Sequence, residues 1–485
     1  MEKERRQHVL IFPFMAQGHI IPFLALALEI EKRNNYQITF INTPLNINKL
    51  RSSLPPDSTI RLRSIPFDST RHGLPPNTEN TDALPYNLIF RLMEASFTLE
   101  SDLRTLLEQI VHQPEETHPL CIITDMFFAW VGRVAHQFGI YHAIFSGTSA
   151  FGLACYYSLW STVPNWKVHT SPEFFEMEDF PEGGKIHITQ MPPSMASADG
   201  KDPWSIFQRK MCAEYFNIDA ILFNTVDELD RIGLDYFRRK LRRPAWAIGP
   251  ILNQDRVNND GGSCKTWLDS KSPRSVIYVC FGSQNTLTGS QMMEMAMALE
   301  ESGRFFIWVV RPPLGKEFAD EMTTEDWLPA GFEKRVEGRG LIVRKWAPQV
   351  EILSHGSTGA FISHCGWNST LEAISYGVPI ISWPMAGEQF FNVKLLEGEL
   401  GICVELGRGN GCEVECRDIM RKIEMVMGED EGAKKVRLRA SEVRKIIADA
   451  KRDEEEYKGS SLRAIDEFFV TAIARRDINQ NNSQV

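Results

Sequence analysis

Two groups of residues have types and spacings that could do chemistry. The first is a strand, turn and helix start. An apolar run, Gly359–Ser363, leads into His364-Cys365-Gly366, and Asn368-Ser369-Thr370 then opens a helix that Gly377 and Pro379 stop. A helix start presents unpaired backbone N–H groups and the positive end of its dipole. With small hydroxyl and amide side chains, and His364 as a further donor, this is an anion site that needs no metal. Glu372, four residues after Asn368, shares its helix face and is placed to accept hydrogen bonds from ribose hydroxyls behind a phosphate. Read alone, the segment is equally an ordinary N-cap with a satisfied core histidine. The second group is His19, just after the first apolar run, and Asp125, at the end of another. If both strands belong to one parallel sheet, the two side chains emerge at the same edge. A histidine working near its own pKa suits a general base, and a carboxylate on its other nitrogen fixes the tautomer and stabilises the imidazolium. Such a pair, without a serine nucleophile, fits deprotonation of an incoming hydroxyl.

The elements that must hold these residues alternate. Strand His8–Phe14, helix Ile20–Lys32, strand Gln37–Asn42, helix Leu88–Ile110, strand Cys121–Thr124, helix Phe127–Phe138 and strand His142–Phe145 follow one another, and strands Ala220–Asn224 and Ala245–Gly249 close the first half. This alternation predicts a parallel sheet covered by helices. Residues 164–204 have no clear period and read as a long surface excursion of the kind that carries binding function. The polar stretch 253–264 reads as a linker. Beyond it the alternation restarts with Val276–Phe281, Phe305–Val310, Leu341–Arg344, Gly359–Ser363 and Pro379–Trp383. The charged stretch 429–459 reads as a solvated helical face, and Ser460–Ala474 as a last amphipathic helix before a frayed polar tail. The expected domains are 1–252, 265–459, and a C-terminal helix with tail, 460–485.

Composition narrows the function. The chain has 485 residues, 43% of them hydrophobic and 24% charged, enough for two globular domains. Its 53 basic and 63 acidic residues give a net charge of −10, which argues against a general nucleic-acid binder. The nine cysteines form no C-x-x-C pair, so buried thiols in a reducing, cytoplasmic setting are expected. The apolar stretch 9–28 is interrupted by Pro13, Gln17, Gly18, His19 and Pro22, so it reads as strand, loop and helix and not as a signal peptide or membrane span. Neither half opens with G-x-G-x-x-G, which disfavours an NAD-linked oxidoreductase.

The string Trp346–Gln389, WAPQVEILSHGSTGAFISHCGWNSTLEAISYGVPIISWPMAGEQ, closely resembles the signature box of plant family 1 UDP-glycosyltransferases. The resemblance extends to the opening strand and loop with His19, the stretch at Asp125, Phe281-Gly282-Ser283 and the chain length. It implies a GT-B fold, two facing Rossmann-like domains with the acceptor in the first and the UDP-sugar in the second. It also implies that Trp346 stacks on uracil and Ala347 pairs with it through its backbone, and that Gln349 and Glu372 contact ribose. His364, Asn368, Ser369 and Ser283 then hold the diphosphate, and Trp367, Glu388 and Gln389 contact the sugar. Gln389 is the residue that glucosyltransferases of the family usually carry, and a glutamine amide can both donate and accept at adjacent hydroxyls. His19 and Asp125 match the catalytic dyad. One departure is the run Ser146-Gly147-Thr148, where one alignment puts Gly147 at a position many relatives fill with Thr or Ser, which leaves the role of Thr148 open.

The resulting expectation is an inverting UDP-glucosyltransferase that makes β-glucosides of a small lipophilic metabolite, a flavonoid or other phenolic being favoured. UDP-glucose is its co-substrate. No cofactor or metal is expected, since no D-x-D-like carboxylate pair accompanies the phosphate site. A monomer without nucleic-acid or membrane partners is expected. Acceptor-pocket candidates are Phe14, Met15, Phe127, Trp130, Met191, Met195 and Thr148. Alternatives are a terpenoid acceptor, another UDP-sugar, a nucleotide-sugar epimerase of similar fold, and a sugar-nucleotide-binding protein without catalysis.

Overall fold

Gln7–Phe12 (β1) is apolar on both faces and buried after its first residue, as a strand inside a covered parallel sheet must be. It pairs in parallel with Tyr36–Asn42 (β2), which itself pairs with Arg61–Ser64 (β3). On its other side lies Pro119–Asp125 (β4), followed by Tyr141–Ser146 (β5), Ala220–Phe223 (β6) and Ala245–Ala247 (β7). The seven-stranded order is β3-β2-β1-β4-β5-β6-β7. A second, six-stranded parallel sheet is built from Val276–Cys280 (β8), Phe305–Val309 (β9), Gly340–Val343 (β10), Thr358–Ser363 (β11), Ile380–Ser382 (β12) and Cys403–Glu405 (β13). Its order is β10-β9-β8-β11-β12-β13. The computed structural model describes residues 6–113, 117–162, 173–252, 262–313, 327–344 and 346–482. Residues 253–261 of the expected linker and 164–172 of the expected excursion lie outside the described residues.

Both sheets reverse their direction of winding beside their first strand. In the first sheet this point lies between β1 and β4, paired with Phe12 opposite Thr124. In the second it lies between β8 and β11, with Cys280 opposite Ser363. Crevices beyond the strand ends at such points are where open α/β sheets bind ligands.

Helices cover both sheets. Gln17–Glu31 (α1) is apolar around most of its circumference and buries eight residues, among them Phe23 and Leu26. The helix expected over Leu88–Ile110 is broken into Tyr86–Ala95 (α2), a 3-10 turn Ser96–Leu99, and Glu100–Val111. At the break Ser96 Oγ donates to Met93 O (2.6 Å) and Thr98 Oγ1 to Ala95 O (2.7 Å), side-chain bonds that compete with a continuous helix. Ala150–Thr162 (α3), Pro203–Glu214 (α4) and Asp227–Leu241 (α5) complete the first domain's larger helices. α3 has no polar face, so its pattern carries no helical period to read. In the second domain Trp367–Ser375 (α6) and Gln389–Lys394 (α7) follow β11 and β12. The charged stretch holds a helix, Glu431–Ala450.

The last helix, Ser460–Asn482 (α8), runs well past Ala474, so the expected frayed tail is helical to Asn482. α8 lies on the first domain. Phe469 stacks on Tyr36 with ring centroids 4.2 Å apart, and Trp246 Nε1 donates to Glu467 (3.2 Å). None of the nine cysteines is in a disulfide, and seven are buried. Among the described residues no helix is long and apolar enough to cross a membrane.

Candidate active site

β1 ends at Phe12, and the chain turns into α1 so that His19 falls in the helix's first turn. β4 ends at Asp125, which caps the following 3-10 turn by accepting from Phe127 N (3.0 Å). Because β1 and β4 are neighbours, His19 Nδ1 and Asp125 Oδ2 meet at 2.7 Å. Asp125 is 1% exposed, so the carboxylate acts in a poorly screened setting. Burial would lower the His19 pKa, but the charge of Asp125, its hydrogen bond and the nearby Glu388 outweigh it and hold the imidazole above its usual range. With Nδ1 bonded, Nε2 is the nitrogen left for a substrate proton. The rings of Phe14 and Phe127 flank the imidazole, each centroid 5.6 Å from it.

The half expected to bind an anion is built the same way on the second sheet. α6 begins at Trp367 with Gly366 as N-cap and no side-chain cap. Its first intrahelical bond runs from Thr370 N to Gly366 O (3.0 Å), so the amides of Trp367, Asn368 and Ser369 have no partner within the helix. The turn before it is tight. Cys365 is a non-glycine residue at φ 60°, a conformation that costs on the order of 1 kcal/mol and concentrates at functional sites. The His364 ring is clamped, because a Cβ on Gly282 would lie 2.7 Å from it and one on Gly366 would lie 2.6 Å from its Nε2. Gly282 also has φ 76°, so glycine is required there twice over. Burial pushes the His364 pKa down to about 4, which makes it a neutral donor at neutral pH.

Further along, Gln349 bridges the helix starts. Its Nε2 donates to Ser369 Oγ (2.9 Å) and Glu372 Oε2 (2.6 Å), and its Oε1 accepts from Tyr278 (3.2 Å). Trp346 presents a face that is 49% exposed. Ala347 O accepts from Gln349 N (2.8 Å). These residues, His19, Thr148, Ser283, His364, Glu388 and Gln389 all line one cavity of about 2130 Å³. That volume exceeds the ~300–1,000 Å³ of a usual small-molecule pocket and leaves room for two substrates.

A family model described as UDP-glucoronosyl and UDP-glucosyl transferase matches residues 249–445. The chain is 47% identical over 486 residues to UDP-glycosyltransferase 92A1 of Arabidopsis thaliana, which covers 98% of this chain and 99% of that protein. The chain belongs to the plant UDP-glycosyltransferase family. It is also 38% identical to crocetin glucosyltransferase 3 of Crocus sativus, over 88% of this chain and 92% of that one. Among solved structures, Glycyrrhiza uralensis UGT73P12 complexed with glycyrrhetinic acid 3-O-monoglucuronide superposes with a TM-score of 0.82 at 27% identity, covering 99% of this chain and 98% of that one. Phytolacca americana UGT2 with UDP-2fluoro-glucose and pterostilbene gives 0.77 at 27% identity, covering 97% and 100%. The GT-B fold and the transferase class expected from the sequence both hold.

Several site residues of this glycosyltransferase stand differently from expectation. Met15, Trp130, Met191 and Met195 are at most 3% exposed and belong to the first domain's core, not to the cavity wall. Phe14, Phe127 and Thr148 do line it. Gln389 was expected to donate and accept at the sugar, but its Oε1 already accepts from Met385 N (2.9 Å) and Ala386 N (3.0 Å), which leaves Nε2 as a donor. The Trp367 indole N–H donates across the domains to Asn224 O (2.7 Å), so its backbone amide is the group it offers. Asn368 Nδ2 donates to Gly18 O (2.8 Å). Pro22, four residues on, has no N–H to bond that carbonyl within α1, and the vacant acceptor becomes a contact between domains.

Other residues escaped the sequence reading altogether. Asn392, fully buried, donates to Cys365 O (3.0 Å) and accepts from Ser149 Oγ (2.7 Å). It thereby ties the Cys365 turn, α7 and the start of α3 together. Asp230 sits at a kink in α5, φ −136° and ψ 24°, where its carboxylate accepts from Ala150 N (2.6 Å) and Phe151 N (2.8 Å) and fixes that same start. Asn392 lies three residues beyond the signature string, and its only sequence signal is a polar residue amid an apolar run.

Proposed function

We propose that this protein transfers glucose from UDP-glucose to a hydroxyl of a small lipophilic phenol, with inversion at the anomeric carbon. The observation that carries the reading is the hydrogen-bonded His19–Asp125 pair on one wall of the cavity whose other wall is the start of α6. UDP lies with its uracil on Trp346, its ribose hydroxyls on Gln349 and Glu372, and its diphosphate at the amides of α6 with His364, Ser369 and Ser283. Gln389 Nε2 and Glu388 take sugar hydroxyls. The acceptor lies against Phe14 and Phe127. His19 Nε2 removes the acceptor's proton as its oxygen attacks C1. The bond from C1 to the diphosphate oxygen breaks, and UDP leaves with the electron pair. Asp125 stabilises the imidazolium, and the helix start stabilises the charge that develops on the leaving group. One displacement converts an α-linked donor into a β-glucoside. No metal enters this reading, because helix amides and neutral donors meet the diphosphate charge. Names among the relatives, such as scopoletin glucosyltransferase of Nicotiana tabacum and UDP-glucose flavonoid 3-O-glucosyltransferase 7 of Fragaria ananassa, support the glucose donor and a phenolic acceptor.

The test is a panel of phenolic and terpenoid acceptors with UDP-glucose, read by product mass and by NMR of the anomeric linkage. Phenolic β-glucosides are expected. Strong preference for UDP-galactose or UDP-xylose would overturn the donor assignment, UDP release without any acceptor would point to hydrolysis, and conversion of UDP-glucose to an isomeric UDP-sugar would point to epimerisation.

A further inference from the structure

Ser283 lies on the loop between β8 and the helix that begins at Gly289, so its place is set by whatever holds that loop. The neighbouring strand does so. β8 and β9 pair with Val279 opposite Trp308, and the same register carried past the strand ends brings Arg311 alongside Gly282. There Arg311 Nη1 donates to Gly282 O (3.1 Å) and to Ser283 O. The next residue holds the far side of the loop, since Pro312 O accepts from Thr286 Oγ1 (2.7 Å). The end of β9 is itself tied down, with Val310 N donating to Val343 O of β10 (2.8 Å). From the first domain, Thr81 Oγ1 accepts from Gln284 Nε2.

Arg311 differs from the other braces in direction and in charge. A trans peptide unit sets its C=O and N–H on opposite sides. The carbonyl of Gly282 shares a unit with the N–H of Ser283, and the carbonyl of Ser283 shares one with the N–H of Gln284. Drawing both carbonyls onto one guanidinium therefore turns both N–H groups the other way. Successive N–H groups of a turn form a concave nest for anions, and Gly282, at φ 76°, supplies the left-handed residue of such a turn. The guanidinium is also permanently charged, and both of its hydrogen-bond partners among the described residues are uncharged carbonyls. Arg311, Ser283 and Gln284 all border the cavity.

We infer that Arg311 is a positioning residue for the donor: by holding the carbonyls of Gly282 and Ser283 it aims the amides of Ser283 and Gln284 at the diphosphate. This rests on the UDP-sugar reading above and deepens it, because the diphosphate then meets a second set of backbone amides, opposite the start of α6 and backed by a fixed positive charge. Hydrogen bonds from an ionised donor are stronger than neutral ones, so the brace holds the two peptide units more firmly than a neutral side chain could.

The experiment measures Kd for UDP and for uridine by NMR titration of the full chain, in the wild type and in Arg311→Met, Arg311→Gln and Arg311→Lys. UDP and uridine share base and ribose, so only the diphosphate distinguishes them. Arg311→Met and Arg311→Gln are both neutral, and either carries the test if the other fails to fold. Each is expected to weaken UDP about tenfold or more, as loss of a charge-assisted contact implies, while uridine binds as before. Arg311→Lys keeps a charged nitrogen on a flexible stem and is expected to recover most of the loss. Equal losses for UDP and uridine, which a merely loosened fold would give, overturn the inference alone. So does a UDP affinity unchanged in the neutral variants, or a lysine variant no better than they are. A wild type that binds UDP no more tightly than uridine overturns the diphosphate reading, and this inference with it.

Discussion

Adding one methyl group at Gly152 separates two accounts of how the domains cooperate. Gly152 is in the first turn of α3, and a glycine there lowers helix propensity, so Gly152→Ala taken locally should stabilise by about 1 kcal/mol. The packing predicts the opposite. A Cβ at this position would lie 2.4 Å from Asn392 Oδ1 and 2.6 Å from Ser149 Oγ. Asn392 has little freedom to yield, because it is fully buried and bonded to both Cys365 O and Ser149. Overpacking costs about 1–3 kcal/mol, and each polar group left without a partner costs about 1–3 kcal/mol. With one polar group left unpaired, and set against the propensity gain, the net is a loss of about 1–5 kcal/mol, with Tm falling about 2–4 °C per kcal/mol for a domain of this size. The methyl group also pushes α7 and the Cys365 turn away from α3, so KM for UDP-glucose should rise about tenfold, which is 1.4 kcal/mol of lost donor binding. Scanning fluorimetry and steady-state kinetics on the two proteins suffice. A higher Tm with an unchanged KM would refute the claim that Asn392 couples α3 to the donor site.

Three further outcomes are expected. The base works neutral, and Asp125 and Glu388 hold the His19 pKa above its usual 6.5 against burial, so kcat/KM should fall as pH drops through a value above 6.5. Asp125→Asn should lower kcat about 10²–10⁴-fold and move that acidic limb to lower pH; an unmoved limb would count against the dyad. Glu372→Ala removes a partner of Gln349, so it should raise KM for UDP-glucose and Ki for UDP by the same factor, about tenfold, with kcat nearly unchanged; a selective loss of kcat would contradict a ribose role. Burial lowers the pKa of His142 to about 3 and of His364 to about 4, while both titrate near 6.5 when unfolded. The unfolded chain therefore binds more protons below pH 6.5, and stability should fall by about 1.4 kcal/mol per pH unit for each histidine as pH drops towards 4. In urea titrations His142→Gln should flatten this slope, and an equal slope would show that His142 takes up its proton as readily in the folded protein as in the unfolded chain.

Much of the site was legible because its chemistry is local. The turn His364-Cys365-Gly366 and the start of α6 are contiguous, so residue order alone places hydroxyls, amides and helix dipole together. His19 and Asp125 were recognisable by type and by their positions at strand ends. Which apolar residues face the acceptor was not legible. Trp130 and Met191 have the same composition signal as Phe127, but whether such a side chain enters the core or the cavity wall depends on what packs against it. α3 was invisible for a related reason, since a helix buried all round has no alternation to detect.

The sequence by itself determined the alternation of strands and helices, the turn at His364-Cys365-Gly366 with its helix start, and the two residues His19 and Asp125 at strand ends, because hydrophobic period, turn residues and helix starts act over a few residues. Only the tertiary structure decided that His19 and Asp125 share a hydrogen bond, since that depends on β1 and β4 being neighbours. It alone fixed the Gly18 carbonyl, left without a helical partner by Pro22, as a contact for Asn368, and Asn392 as the tie between the Cys365 turn and α3. Such contacts join segments hundreds of residues apart, and they form only when two sheets, each folded by its own local rules, bring the ends of their strands to the same cleft.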